Sequence, residues 1–568
     1  MDITELLAFK PVQTPKRPND EDSDDNSDEE GTVAKRMRRM ARSKADSIIK
    51  QDPTRQLPKT EPALTDLERE NILQYVENEE TQGDVIDDTA VKRLVLMFEK
   101  KSLKNREMRI KFPEQPDKFM ESEVDLHQAL QELSVIATVP DYYPVLVQMK
   151  CIPSLLELLS HDNTDVSTQV VHLIQELTDV DILHESSEGA EILVEALQEG
   201  QALPLLLHNL NRLDEQVQEE RDGVHNTLGI IENITEFRPE LCADVAKRGF
   251  MQWLLKRLKM KAPFDPNKLY VSEILSILVQ DCIENRLLLG DLDGIDVLLQ
   301  QLAFYKRHDP STTEEQEMME NLFNCLCSAL MSASNRDRFL RGEGLQLMNL
   351  MLREKKLSRN GSLKVLDHAM AGHDGKDNCN KFVDILGLRT IFPLFMKTPK
   401  RKRVLTTDQH EEHVISIISS MMRNCQGSQR QRLLTKFTEN DLEKVDRLLE
   451  LHFKYLDKVD KVEQEIEKDR HTGEDGEVID TEEETLYLRR LSGGLFTLQL
   501  VDHVMLEVCA SSLPVIKQRV QQVLALRGGS LKTVRHVMRE YAGNLGDAGN
   551  PEWRQQEQQH ILQMVDKF

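Results

Sequence analysis

Four short clusters carry residue types that could do chemistry. His410-Glu411-Glu412-His413 offers imidazoles and carboxylates within about one helical turn, the ingredients of a zinc site with a general base. A zinc-protease helix sets its histidines four apart, however, and these are three apart, so the cluster reads as the polar start of a helix. Cys325 and Cys327 are two apart in an apolar helical stretch, a spacing that turns the thiols to different faces, and they read as buried packing. Asp291, Asp293, Gly294 and Asp296 have the look of a calcium loop but lack its distant Glu in register, and His161 to Asp165 reads as a turn with a helix cap. No Gly-x-x-x-x-Gly-Lys-Ser/Thr, Gly-x-Gly-x-x-Gly or Gly-x-Ser-x-Gly occurs. The expectation is a protein with no catalytic site, no metal and no cofactor.

What remains is surface. Leu173 to Asp179 and Ile230 to Glu236 align as two helix ends, Glu176 against Asn233 and Asp179 against Glu236, and Glu232 lies beside them; Asp281 and Glu284 close a similar segment. If the last helix of each repeating unit lines a concave face, these seven residues form a groove whose carboxylates track the Lys/Arg side chains of an extended peptide. The bland alternative is a set of solvated helix faces.

The elements that would hold them follow a recurring phrase. A glycine precedes a leucine-rich run at Gly200, Gly249, Gly294, Gly344 and Gly387, at intervals of 49, 45, 50 and 43 residues, and a copy without glycine starts at Cys151. That period is close to the roughly 40–47 residues of armadillo and HEAT units. Each Gly is expected to open a turn in a backbone conformation other residues resist. One repeat cannot bury its apolar face alone, so neighbours stack and share a core. The fold expected is all-α, an armadillo/HEAT-like superhelical solenoid with helical caps and a disordered N-terminal tail. Its divisions are 1–62 tail, 63–124 N-terminal cap, 125–456 repeats, 457–485 acidic linker and 486–568 C-terminal cap.

Composition agrees with this. Aromatics are only 5% and Met numbers 21, which fits an aliphatic helical core. The 8 Cys are scattered, and with an acidic start and no secretory signal they read as reduced thiols of an intracellular protein. No apolar run approaches the length that spans a bilayer. Residues 1–60 hold 12 basic and 12 acidic side chains, so the net charge of −25 belongs wholly to the remainder. A body that acidic repels phosphate backbones and attracts basic polypeptide, which argues against direct nucleic-acid binding.

Within the tail, 17 residues separate Lys16 and Arg17 from Lys35, Arg36, Arg38 and Arg39. Two basic clusters around an acidic spacer suit capture by an import receptor, and Ser27 before Asp28, Glu29 and Glu30 has the form of an acidic-directed phosphorylation site. Lys397 to Arg403 is a second basic run, which reads equally as a solvated connection.

Several stretches resemble the beta-catenin-like family: Gly223-Val-His-Asn-Thr-Leu-Gly-Ile-Ile-Glu-Asn, Gly294-Ile-Asp-Val-Leu-Leu-Gln-Gln-Leu, Phe382-Val-Asp-Ile-Leu-Gly-Leu-Arg and Phe437-Thr-Glu-Asn-Asp-Leu-Glu-Lys-Val-Asp-Arg. The likeness runs from about Lys92 to the C-terminus. It implies a nuclear armadillo-repeat scaffold, not an enzyme, that is associated with the spliceosome through the NineTeen complex. It further implies binding of basic localisation-type segments of splicing factors, including a Myb-like Cdc-five-type protein, and of activation-induced deaminase. An import receptor for the tail is expected and a homodimer is left open; no membrane partner is expected. An import adaptor of the importin-alpha type is the alternative, but its groove uses a ladder of Trp and Asn, and this chain has only Trp253 and Trp553. Beta-catenin's own groove is basic, so its acidic partners do not carry over.

Overall fold

The computed structural model describes residues 86–398, 406–471, 483–511, 513–546 and 550–568, and every regular element among them is a helix. The helices gather into two compact units. One is built from the residues up to Leu288 with Thr312–Met318, the other from Leu289–Ser311 and Met319–Phe568.

The repeat is built around one corner. Just ahead of each leucine-rich helix, a single residue takes the left-handed conformation: Lys150 before Cys151–Leu158, Gln201 before Ala202–Arg212, Asp293 before Gly294–Leu302 and Glu343 before Gly344–Glu354. Leu386 and Gly249 serve the same corner in two further repeats. The glycines were expected to supply this backbone, and only Gly249, at φ 110°, does so. Gly200 and Gly387 lie at φ −72° and −56°.

What glycine provides elsewhere is room. A Cβ on Gly344 would stand 2.2 Å from the Phe339 ring, one on Gly387 2.5 Å from Phe382 and one on Gly294 2.6 Å from Leu289. In all three repeats the apolar side chain five places earlier presses on the glycine α-carbon, where any side chain would displace it.

A series of long helices packs in succession through each unit. In the first unit these are Pro116–Leu133, Thr164–Leu177, Gln218–Phe237 and Pro266–Gln280, each packed on the next. In the second unit Ser358–Met370, Thr407–Asn424 and Phe496–Ser511 pack in the same succession. Their inward residues (Val170, Ile174, Leu228, Ile231, Leu275 in the first unit, Leu366, Ile415, Ile418, Val501 in the second) are almost wholly buried.

Helix carbonyls left bare at each C-terminus need partners, and an Asn supplies them from the third residue of the following helix. Asn285 Nδ2 donates to Leu278 O at 2.7 Å, Asn335 Nδ2 to Ala329 O at 3.0 Å and Asn378 Nδ2 to Ala369 O at 3.1 Å. Two of these Asn precede an Arg that extends the cap. Arg286 Nε donates to Val279 O at 2.9 Å, and Arg336 Nε to Leu330 O at 2.7 Å.

Several expectations change. The division at 124/125 falls inside one helix, Pro116–Leu133. The acidic linker begins inside the 29-residue helix Glu443–His471, where Val459 and Ile466 are buried; residues 472–482 and the tail residues 1–85 lie outside the described residues. The stretch Glu483–Ser511 is long and apolar enough by composition to cross a bilayer, yet most of its apolar part is buried in the protein. It bends at Gly494, φ 123°.

Candidate functional site

The N-terminal halves of three successive long helices frame an open cleft of about 650 Å³. Pro116–Leu133 contributes Phe119, Met120, Glu123, Val124 and His127; Thr164–Leu177 contributes Asp165, Thr168, Gln169 and His172; Gln218–Phe237 contributes Glu219, Asp222, Gly223 and Asn226. The helices approach closely because Gly223 has no side chain: a Cβ there would lie 2.6 Å from Thr168. Four carboxylates and no Lys or Arg line the cleft.

The carboxylates are not equivalent. Glu123 is engaged, forming a short ion pair with Arg109 and accepting from Asn163 Nδ2 at 3.0 Å. Asp165, Glu219 and Asp222 are exposed and take part in no ion pair among the described residues. Asp165 and Glu219 also belong to the first turns of their helices, where the backbone dipole favours negative charge. His172 lies 3.5 Å from Glu176, and that hydrogen bond raises its pKa. Burial pushes the Glu176 carboxyl up, but hydrogen bonds from His172 and Ser134 outweigh it and hold it below the usual range. Met120 and Val124 stand 60% and 64% exposed on the floor, an uncovered apolar strip within an acidic rim.

None of the seven groove residues expected from sequence lines this cleft. Glu176 is half-buried in the last turn of its helix, and Asp179 accepts from the Asp181 amide at 3.1 Å as the cap of the next turn. Glu232 accepts the Tyr270 hydroxyl at 2.5 Å. Asn233 is fully buried with its amide toward Gln175 O, so it is closed to any ligand. Glu236, Asp281 and Glu284 are exposed, Asp281 at the end of Pro266–Gln280 and Glu284 in the first turn of Ile283–Asp291.

The slip has a measurable origin. Packed pairs (Thr168 against Gly223, Gln175 against Gly229) set the helix-to-helix offset at 54 or 55 residues, whereas pairing Glu176 with Asn233 implies 57. Two or three residues on a helix turn a side chain by most of a revolution. Asp165, Glu219 and Asp222 were findable by aligning helix starts, since all three lie within the first turn or two of their helices. Lys16, Arg17, Ser27, Lys35, Arg36, Arg38 and Arg39 lie outside the described residues, as do residues 399–405 of the second basic run.

The His-Glu-Glu-His cluster does open a helix, capped by Thr406 and Gln409 in a reciprocal box. It is not a solvated start, however. His410 and Glu411 are 4% and 7% exposed; burial, with Arg359 nearby, pushes His410 down to about 4. Glu411 ties Lys454 at 2.7 Å, Thr398 at 2.8 Å and Arg447 at 3.0 Å, and His413 faces Asp367 at 2.9 Å. All eight cysteines are free thiols, six of them buried.

A family model described as "Catenin-beta-like, Arm-motif containing nuclear" matches residues 70–539. The chain belongs to the catenin-beta-like family. Beta-catenin-like protein 1 of Homo sapiens is 62% identical over 487 residues, covering 85% of this chain and 86% of the relative, and that of Bos taurus matches equally. The homolog from Schizosaccharomyces pombe is 30% identical over 482 residues, covering 84% and 82%. A solved structure from work on a phosphorylation switch between cadherin and beta-catenin aligns at 12% identity and a TM-score of 0.45, over 74% of this chain and 66% of that one. As a catenin-beta-like protein the chain is an armadillo-motif protein of the nucleus.

Proposed function

We propose that this chain is a non-catalytic scaffold of pre-mRNA splicing that holds Lys/Arg-rich, localisation-type segments of splicing factors. The cleft across Pro116–Leu133, Thr164–Leu177 and Gln218–Phe237 is where it holds them. One observation carries the reading: three exposed carboxylates in no ion pair, Asp165, Glu219 and Asp222, share a cleft with the exposed Met120 and Val124 and with no Lys or Arg among the lining residues. Guanidinium and ammonium groups of a peptide meet the rim, and their aliphatic stems cover Met120 and Val124. The implied partners are a Myb-like Cdc-five-type protein and the NineTeen complex. The seven residues Glu176, Asp179, Glu232, Asn233, Glu236, Asp281 and Glu284 give way to this set.

The test is anisotropy of a labelled Lys/Arg-rich peptide at rising salt. Screening shortens from about 10 Å at 0.1 M to about 3 Å at 1 M, so affinity is expected to fall steadily. Replacing Asp165→Asn, Glu219→Gln and Asp222→Asn together is expected to weaken binding at least tenfold, about 1.4 kcal/mol. Affinity indifferent to both salt and the triple replacement overturns the reading.

A further inference from the structure

We infer that in the free protein the cleft is held by the chain's own basic segment, residues 35–40, and that an external segment binds by displacing it. The inference rests on the proposed reading of the cleft as a site for basic peptide.

Chemistry and dimensions both fit. The cleft combines an acidic rim with Met120 and Val124, large apolar side chains left uncovered, and uncovered apolar surface of this kind marks a place where something docks. Lys35-Arg36-Met37-Arg38-Arg39-Met40 combines the same two chemistries in complement, four cations for the rim and two flexible thioethers for the floor. Extended, six residues span about 20 Å. Three neighbouring helix axes at roughly 8–10 Å spacing also span about 20 Å.

The tether reaches. Residues 41–85 separate the segment from the first described residue, Ile86. That length covers at most about 150 Å, against about 36 Å for the whole helix Asp88–Lys111 that leads to the cleft. A covalently attached competitor acts at an effective concentration in the millimolar range when its linker spans the sites. An external basic segment must therefore outbid one that is always present. The tail cannot serve an import receptor and the cleft at the same moment.

The experiment compares the full-length chain with a full-length variant carrying Lys35→Ala, Arg36→Ala, Arg38→Ala and Arg39→Ala. The probe is a labelled peptide of residues 32–43 at 100 mM salt. The variant is expected to bind the peptide at least tenfold more tightly than the unmodified chain. Adding Asp165→Asn, Glu219→Gln and Asp222→Asn to both proteins is expected to abolish that difference. Equal affinity of the two parent chains overturns the inference while leaving the cleft reading intact. Binding to neither overturns both. A gain accompanied by conversion of a dimer to a monomer in sedimentation assigns the segment to a second copy and overturns the intramolecular form.

Discussion

The corner residues put a cost on single positions. Asp293, Glu343 and Gln201 hold left-handed backbone at φ near 57°, which costs an L-residue roughly 1 kcal/mol relative to glycine. Glu343→Gly is thus expected to raise the melting temperature of the chain slightly, the relief being offset in part by a more disordered unfolded state. Gly344→Ala, one place on, is expected to lower it, because the new methyl group meets Phe339 at 2.2 Å; overpacking of this sort costs about 1–3 kcal/mol. Calorimetry of the two variants side by side checks the pair. If glycine mattered for backbone freedom at both positions, Gly344→Ala would be the milder change. From sequence alone the period was legible but not this division of labour. A glycine next to a left-handed residue and a glycine in that conformation look the same in a string of letters, and only Phe339, Phe382 and Leu289 in place tell them apart.

Among elements, the C-terminal helices are held by a polar clamp that hydrophobic periodicity could not reveal. His503, wholly buried on Phe496–Ser511, faces Ser419 at 3.0 Å, and Glu507 on the same helix pairs with Arg430 at 2.6 Å and His560 at 2.9 Å. Arg423 ion-pairs with Glu557 at 2.9 Å without hydrogen-bond alignment and donates to the Tyr541 hydroxyl. Burial, with Arg423 adding to it, pushes His503 down to about 3. Burial would raise Glu507, but the His560 hydrogen bond and nearby positive charge hold it at about 2.

Both shifts act in one direction. A histidine depressed in the folded state contributes stability above its unfolded pKa, lost as pH falls from about 6.5 toward 3. A carboxylate depressed in the folded state contributes stability above about 4.5, lost as pH falls toward 2. Unfolding free energy is expected to drop by about 2 kcal/mol between pH 6.5 and pH 5 from His503 alone. His503→Gln is expected to flatten that part of the profile in urea titrations, and an unchanged slope would place the acid sensitivity elsewhere. The Asn caps belong to the same scale. Asn335→Ala is expected to cost about 1–3 kcal/mol by stripping Ala329 O of its partner, whereas Asn380→Ala, whose side chain reaches only Lys376 O one turn back, is expected to cost far less.

Across the whole chain, charge was the most informative property of the sequence. The all-α class and the repeat period could be read from glycine and leucine spacing, and the acidic excess pointed to a basic ligand. The placement of that acidity could not be read, because which carboxylates share a cleft depends on helix offsets set by close contacts such as Thr168 on Gly223. A distributed excess of −25 nevertheless predicts fast, salt-sensitive association with cationic peptides. On-rates measured by stopped flow are expected to fall steeply with salt, while off-rates change little.

The Asn side chains that cover the ends of Pro266–Gln280, Thr313–Ala329 and Ser358–Met370 all come from the next stretch of chain. Dependence at these three ends therefore has a direction: each helix borrows its finish from the segment that follows it. A chain cut just after Ala329 or Met370 keeps a full-length helix but bares its carbonyls, whereas a cut one short helix later leaves them covered. Fragments of nearly equal length should then differ sharply in whether they fold, according to which side of a borrowed cap the cut falls.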